Sequence, residues 1–180
     1  EKIKIPKRGK YYSINEGNYH KWNTRLQQYV NYLKTPSDDK QRPYSLRYIG
    51  TAIADVHRTL HYGGIFMYPA DKSAPVGKLR LMYEVNPLAM IIEQAGGRAT
   101  DGFGRVLQQQ PIEIHQRVPV FMGSEDDVLE ADHHEIEKAG LEVFDVLMGA
   151  FDEGRLTDRF GRTTSLQSAL IVMTSNLGAK

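Results

Sequence analysis

Seven polar residues between positions 15 and 83 share a chemistry that suits a phosphate ester. They offer phenol, ammonium, guanidinium and amide donors, and they are Asn15, Arg47, Tyr48, Tyr68, Lys78, Arg80 and Tyr83. Charged and neutral hydrogen bonds from such groups can together hold a phosphate. The alternative is that they are surface groups at strand ends, joined in ordinary ion pairs.

Glu84 adds a carboxylate to this group. Alternation predicts a strand over residues 78–84, with Glu84 on the same face as Lys78 and Arg80. Magnesium prefers oxygen ligands and often joins a carboxylate to a substrate phosphate, so Glu84 is a candidate Mg²⁺ ligand. A surface ion pair with Lys78 or Arg80 is the alternative here too.

The elements that position these residues follow from hydrophobic periodicity. Residues 2–5 and 11–14 indicate a hairpin or two strand ends, and residues 35–43 a loop. A first helix is capped by Asn23, and a second spans residues 49–60 and stops at Gly63 and Gly64. Their predicted buried residues are Leu26, Val30 and Leu33, then Ile49, Ile53, Val56 and Leu60.

Further strands are predicted over residues 65–68 and 118–122. Between them, Asn86 is expected to cap a helix with Pro87 at its first position and a stop at Gly96 and Gly97. The predicted core residues of this helix are Ile91, Ile92 and Ala95. Later in the chain, periodicity predicts a helix over residues 139–151 and a buried strand over residues 169–174.

Composition excludes several classes of protein. The chain of 180 residues is 41% apolar and 25% charged, which is ordinary for a globular protein with a sizeable core. The absence of cysteine excludes a disulfide scaffold and a thiolate zinc site, and it fits a cytoplasmic protein. We expect no membrane span, because no apolar run is long enough.

Charge is unevenly distributed along the chain. Residues 135–180 carry five basic and seven acidic residues, a net charge of −2, which leaves +3 for residues 1–134. The overall net charge of +1 argues against nucleic acid as a partner. The basic first part suits a small anionic ligand, or is ordinary solvated surface.

Eight segments of the first part resemble class I fructose-1,6-bisphosphatase and occur in the order of that family. They are residues 12–17, 47–50, 54–60, 63–69, 77–84, 86–87, 93–97 and 114–117. The resemblance implies an α/β fold, a mixed β-sheet flanked by helices. It also implies that residues 1–132 are a C-terminal, substrate-binding domain of that enzyme family.

The same resemblance implies roles for individual residues. The matched substrate-binding residues are Asn15, Arg47, Tyr48, Tyr68 and Lys78. Arg47 matches an arginine that enters the active site of a neighbouring subunit, and Glu84 matches an acidic Mg²⁺ ligand near the 1-phosphate. The implied substrate is fructose 1,6-bisphosphate or its product fructose 6-phosphate, in gluconeogenesis, and the implied assembly is a homo-oligomer.

The carboxylate-rich metal loop of that family has no counterpart in the sequence. Neither an Asp-Pro-Ile-Asp-Gly-Ser-like motif nor a Glu-Glu pair is present. We assign no catalytic residue and expect the isolated chain to be inactive as a phosphatase. A non-catalytic subunit of a phosphatase oligomer is the alternative function.

Three further residue pairs have structural interpretations. His57 and His115 are interpreted as packed structural histidines. Asp55 and Arg58 are expected to form a weak pair on a helix surface. His133 and His134 are interpreted as part of a junction loop rather than as a metal site.

Residues 133–180 resemble a different family, the second nucleotide-binding module of Clp-type AAA+ unfoldases. The matching segments are residues 135–139, 143–147, 152–158, 161–163 and 171–178. The resemblance implies a partial AAA+ α/β segment, with Glu135 at the water-activating glutamate and Asn176 at the polar sensor. His134 replaces the magnesium-binding aspartate and no Gly-x-x-x-x-Gly-Lys-Ser/Thr loop occurs, so we expect ATP binding to be weak or absent.

The two resemblances adjoin without a linker rich in glycine, serine or proline. A fused or truncated reading frame is our first interpretation of this junction, and a natural fusion is the second. A fragment of a Clp chaperone is accordingly a third hypothesis for the function of the chain.

Overall fold

The computed structural model describes residues 2–38, 41–136, 155–157 and 163–165, in two compact units, residues 1–138 and 139–180. The helices are α1 (Thr24–Lys34), α2 (Ala52–Tyr62), α3 (Asn86–Gln94) and α4 (Glu125–Ile136). The strands of the first unit are β1 (Tyr11–Ser13), β2 (Ser45–Leu46), β3 (Ile65–Tyr68), β4 (Leu79–Arg80), β5 (Arg98–Thr100), β6 (Arg117–Val118) and β7 (Val120–Gly123). In the second unit, the described residues form an antiparallel pair of strands, β8 (Arg155–Thr157) and β9 (Thr163–Ser165).

A five-stranded mixed sheet in the order β2-β1-β3-β7-β5 forms the centre of the first unit. β1 runs parallel to β2 and β3, and β7 runs antiparallel to β3 and β5. Alternate residues of β3 and β7 enter two cores, one with α2 and α3 and one with α1 and α4. The predicted α/β fold, a mixed sheet flanked by helices, is confirmed.

The Asn23 cap and the apolar run over residues 65–68 predicted α1 and β3 correctly. The Asn23 side chain accepts a hydrogen bond from the Leu26 backbone N–H at 2.8 Å, as expected of a helix cap. The three predicted apolar residues of α1 are fully buried, and so are the first three residues of β3. Gly63 and Gly64 follow α2 at positive φ, and a Cβ on Gly64 would lie 2.0 Å from the Tyr11 carbonyl oxygen.

Residues 11–13 form β1 as predicted, but the predicted strand over residues 2–5 and half of the predicted buried stripe of the second helix were wrong. Residues 2–5 form no strand, because the Ile5 backbone N–H donates to the Ala95 carbonyl at the end of α3. The second helix begins at Ala52 rather than at Ile49, and Ile49 and Ile53 are 64% and 72% exposed. The buried side of α2 is instead Asp55, Val56, Thr59 and Leu60.

The predicted strand over residues 78–84 was also wrong. β4 pairs with β6 only through Leu79 and Arg80, and Pro119, which would face residue 78 in this antiparallel register, has no N–H to extend the pairing on that side. The chain then forms a π-helix, Leu81–Val85, that continues directly into α3. Asn86 therefore lies inside a helical run and is no cap.

The predicted core of α3 and the strand over residues 118–122 need smaller corrections. Ile92 and Ala95 are buried as predicted, but Ile91 is exposed. The strand over residues 118–122 is interrupted at Pro119, so that it divides into β6 and β7.

Five elements were not predicted, and some predictions lie outside the described residues. Besides β5 and α4, the strands β2, β8 and β9 had no sequence-based prediction. The backbone at His133 and His134 continues α4, so the predicted junction loop was wrong. The predicted helix over residues 139–151 and strand over residues 169–174 lie outside the described residues. No helix among the described residues is long and apolar enough to cross a membrane.

A buried carboxylate fixes α4 to the rest of the first unit. Asp127, 1% exposed, accepts hydrogen bonds from the Tyr44 hydroxyl at 2.7 Å and from the Gly9 backbone N–H at 2.9 Å. The Arg8 guanidinium lies 3.4 Å from Asp127 and donates to Glu130 at 2.8 Å. Burial is the largest effect and raises the pKa of Asp127 to about 6. The nearby Glu130 charge also raises this pKa, whereas Tyr44, Gly9 and Arg8 lower it.

Stability should depend on the protonation of Asp127. Its usual pKa of 3.8 rises to about 6 in the folded chain, so the folded state holds this proton more tightly. The free energy of unfolding therefore falls as pH rises from about 4 to 6, by ~3 kcal/mol from this group. We expect Asp127→Asn to remove this part of the pH dependence in urea unfolding, and the exposed control Glu125→Gln to retain it. A wild-type stability that rises through this window, with an unchanged slope in Asp127→Asn, would contradict the assignment.

Candidate functional site

A cleft of about 680 Å³ opens where α2, the π-helix and strands β3 and β4 meet. Tyr48, Tyr68 and Lys78 line it, together with the predicted metal ligand Glu84. Four of the six site residues predicted in the first unit therefore share one cavity. These four come from the loop before α2, from β3, from the residue before β4 and from the π-helix.

The charge of this cleft favours an anion. Its basic lining residues are Lys78, Arg80 and Arg117, and its acidic lining residue is Glu84. Three positive groups and one negative group leave a net charge of +2. Charges of one sign in a concave site raise the local concentration of the opposite ion.

The two tyrosines supply neutral donors. Burial raises the pKa of the Tyr48 phenol, and the neighbouring Tyr68 and Asp55 raise it further. The Tyr48 hydroxyl therefore stays protonated through the physiological range and can donate to a phosphate oxygen. Tyr68 lies at the end of β3 and is half-buried.

A buried ion pair holds the loop that carries Tyr48. The Asp55 carboxylate accepts hydrogen bonds from the backbone N–H groups of Ile49 and Gly50, at 3.1 to 3.3 Å, and from Arg58 at 2.6 Å. Arg58 also donates to the Ser13 hydroxyl at 2.6 Å and to the Arg47 carbonyl at 2.7 Å. The prediction of a weak surface pair was wrong, because Asp55 is 0% exposed and the pair binds the loop before α2 and, through Arg58, the end of β1.

The Glu84 carboxylate is hydrogen-bonded to Arg80, four residues earlier in the chain. Its carboxylate accepts from the Arg80 backbone N–H at 2.6 Å and from the Arg80 guanidinium at 3.3 Å. Both contacts exist because the π-helix brings Glu84 back toward Arg80 instead of extending the strand. Among the described residues, no group of three or more histidine, aspartate or glutamate side chains is arranged to hold a metal ion.

Arg47 and Asn15 lie outside this cleft. The exposed Arg47 donates to the Leu46 carbonyl at 2.8 Å, and its guanidinium lies 5.5 Å from the centre of the Tyr11 ring. Asn15 accepts from the Gly17 backbone N–H at 3.1 Å and lines a small depression that also touches Tyr68. Tyr68 is therefore the one predicted site residue that borders both cavities among the described residues.

Sequence reasoning missed a hydrogen-bonded pair at the rim. The Tyr83 hydroxyl and the His115 Nδ1 are 2.7 Å apart, and Tyr83 lines the cleft. His115 is exposed, so the prediction of a packed structural histidine was wrong for it. His57 is exposed as well, with its ring beside that of His61. Thirty-two positions separate Tyr83 from His115, and no local pattern joins them.

The fold and the cationic cleft define a mixed α/β domain suited to a small anionic ligand. The family model for the fructose-1-6-bisphosphatase C-terminal domain matches residues 5–135, and the chain belongs to this family. The match agrees with the assignment of residues 1–132 to this family from sequence motifs.

Relatives from bacteria and from a plant are named as fructose-1,6-bisphosphatases. The class 1 fructose-1,6-bisphosphatase of Chlorobium chlorochromatii is 56% identical over 135 residues, which cover 75% of this chain and 40% of the relative. That of Chlorobaculum tepidum is 53% identical over 135 residues, with the same two shares. The chloroplastic fructose-1,6-bisphosphatase of Spinacia oleracea is 56% identical over 128 residues, 71% of this chain and 31% of the relative. The chain spans about two fifths of the length of the bacterial relatives it matches.

A second family model matches the end of the chain. It describes an AAA domain of the Cdc48 subfamily and matches residues 134–180. Glu135 lies near the end of α4, where the two family matches meet, and Asn176 lies outside the described residues. Their predicted roles remain predictions.

Removing the Arg58 guanidinium should destabilise the loop that carries Tyr48. In Arg58→Gln the buried Asp55 carboxylate loses its cation, so we expect the free energy of unfolding to fall by about 3 kcal/mol. The matched control Lys34→Gln removes a cation from the exposed pair with Glu16, and should cost less than about 1 kcal/mol. Chemical denaturation of both variants measures the difference, and equal losses would show that the Asp55 pair is no stronger than a surface pair.

Proposed function

We propose that residues 1–132 form the sugar-phosphate-binding domain of a fructose-1,6-bisphosphatase. The observation that carries this proposal is the convergence of Tyr48, Tyr68 and Lys78 on one cationic cleft. The reaction of the whole enzyme would be hydrolysis of the 1-phosphate of fructose 1,6-bisphosphate. Water supplies the oxygen that bonds to phosphorus, the bond from phosphorus to the sugar oxygen breaks, and fructose 6-phosphate and phosphate leave.

The described residues account for binding of the ligand. Lys78 provides a point charge for the 6-phosphate of the sugar, and Tyr48 and Tyr68 provide neutral hydrogen bonds. Asn15 reaches the same ligand only from the depression on the other side of Tyr68. Hydrogen bonds to charged groups are about twice as strong as neutral ones, so Lys78 contributes most.

The described residues do not make a complete magnesium site. Among the described residues Glu84 is the single carboxylate that lines the cleft, and both of its oxygens already accept hydrogen bonds from Arg80. Magnesium binds through one or two carboxylates together with substrate phosphate and water, so Glu84 alone is at most one ligand. We therefore assign ligand binding to these residues and route no step of hydrolysis through the metal.

A homo-oligomer is part of the same proposal. The Arg47 side chain is exposed and lies outside the cleft of its own chain, as a residue that serves a neighbouring subunit would. The alternative function, a non-catalytic subunit of a phosphatase oligomer, is favoured by the same exposed arginine. We propose the cytoplasm as the location of either form.

Residues 133–180 are proposed to be a partial AAA+ segment of the Clp type. The match of an AAA domain model to residues 134–180 supports the broader family. The absence of a phosphate-binding loop from the sequence argues against ATP binding, and Glu135 and Asn176 are then remnants of a nucleotide site.

Charge reversal at Lys78 should abolish binding of fructose 6-phosphate. In Lys78→Glu a carboxylate replaces the ammonium group that is proposed to face the phosphate, so titration calorimetry should show no saturable heat. Lys10→Glu makes the same change at an exposed lysine that does not line the cleft, and should retain the wild-type affinity. Unchanged affinity in Lys78→Glu would overturn the assigned site, and unphosphorylated fructose serves as the ligand control.

The purified chain should release little phosphate from fructose 1,6-bisphosphate in the presence of Mg²⁺. We expect the rate per site to be at least 1,000-fold below a common enzymatic turnover of about 10 s⁻¹, since the described part of the chain gives Glu84 no further carboxylate partner in the cleft. A colorimetric phosphate assay against a full-length relative measures this. Turnover comparable with that of the relative would contradict the assignment of binding alone.

A further inference from the structure

The outer surface of α2 carries two exposed histidines that the proposed function does not use. His57 and His61 are four residues apart on this helix, and both side chains are exposed. Their ring centroids are 4.7 Å apart, with the ring planes inclined at 60°. Residues four apart on an α-helix lie on one face, one turn above the other.

We propose that His57 and His61 form a two-histidine site for a divalent transition-metal ion. Zinc binds imidazole nitrogen at about 2.0–2.1 Å, and a shared tetrahedral ion would hold two ring centroids about 5 Å apart. The observed separation is within a few tenths of an ångström of that value. Because both side chains are exposed, each ring can rotate to turn a nitrogen toward a shared ion.

The donor set determines which ions bind. Two imidazole nitrogens suit Zn²⁺, Ni²⁺ and Cu²⁺, whereas Mg²⁺ prefers oxygen. Because the described residues offer no third histidine or carboxylate in reach, water completes the coordination. The expected order of affinity is Cu²⁺ above Ni²⁺ and Zn²⁺, with no binding of Mg²⁺.

The position of the pair on α2 also favours a cation. His61 lies in the last turn of the helix, which ends at Tyr62 and is followed by the C-cap residue Gly63. The last carbonyl groups of a helix carry partial negative charge, which stabilises a nearby positive charge. A metal that joins His57 to His61 also ties the last turn to the one before it, so it should protect α2 from fraying.

This site is separate from the phosphate cleft. The first turn of α2 contributes Ala52 and Ile53 to the cleft, whereas neither His57 nor His61 lines it. Metal binding at the pair therefore requires no phosphorylated ligand and no contribution from Glu84. Failure of the sugar-phosphate proposal would leave it unaffected.

Calorimetric titration of the intact chain with zinc chloride, without substrate, tests the proposal. We expect saturable binding in the wild type, and at least a tenfold loss of affinity in His57→Gln and in His61→Gln. The double variant should lose little further affinity, because one substitution already removes the chelate and leaves only a weak single imidazole. Magnesium chloride should give no such signal.

Three controls separate this pair from other sites. His20→Gln changes an exposed histidine elsewhere in the chain and should retain wild-type affinity. The double variant His133→Gln, His134→Gln tests the adjacent pair, and Glu84→Gln tests the cleft carboxylate. Circular dichroism confirms that each variant is folded. Absence of zinc binding in the wild type, retention of affinity in His57→Gln and His61→Gln, or its loss in any of the controls would overturn the proposal.

Discussion

The arrangement of the cleft depends on one buried ion pair. Asp55 faces inward on α2, where an apolar residue would ordinarily pack, and its charge is compensated by Arg58 and by two backbone N–H groups. Arg58 in turn joins the end of β1 to the carbonyl of Arg47. The loop with Tyr48 is thereby fixed to both a strand and a helix, and one wall of the cleft is rigid without any bound ligand.

Local rules predicted the elements that depend on short-range interactions. Asn23 caps α1 through a contact three residues away, and the apolar run of β3 is buried on both faces, as its composition indicated. The predicted strand over residues 78–84 failed because the chain leaves its pairing with β6 after Arg80 and turns into the π-helix, a change that the alternation of side chains does not reveal. A strand of that length would separate Arg80 from Glu84 by about 13 Å, whereas the π-helix brings them into hydrogen-bonding distance.

For the candidate site, too, the sequence indicated the residues but not the long-range contacts that hold them in place. Tyr48, Tyr68 and Lys78 were identified by residue type and family resemblance, and the fold places all three in one cleft. The supporting contacts were not predicted, because spacing alone does not distinguish a buried Asp55 from an exposed one. The hydrogen bond between Tyr83 and His115 joins residues that are distant in sequence, and only the tertiary structure brings them together.

The cluster around Asp127 limits how this sequence can change over time. Its carboxylate is shared by Arg8, Gly9 and Tyr44, so a substitution at Asp127 leaves several buried polar groups without their partner at once. Joint replacement of the Arg8, Tyr44 and Asp127 side chains by apolar groups of similar volume should cost less than a single substitution in the cluster, with the Gly9 backbone N–H left unpaired. Substitutions at these positions should therefore be correlated among homologues, although Arg8 and Asp127 lie more than a hundred residues apart.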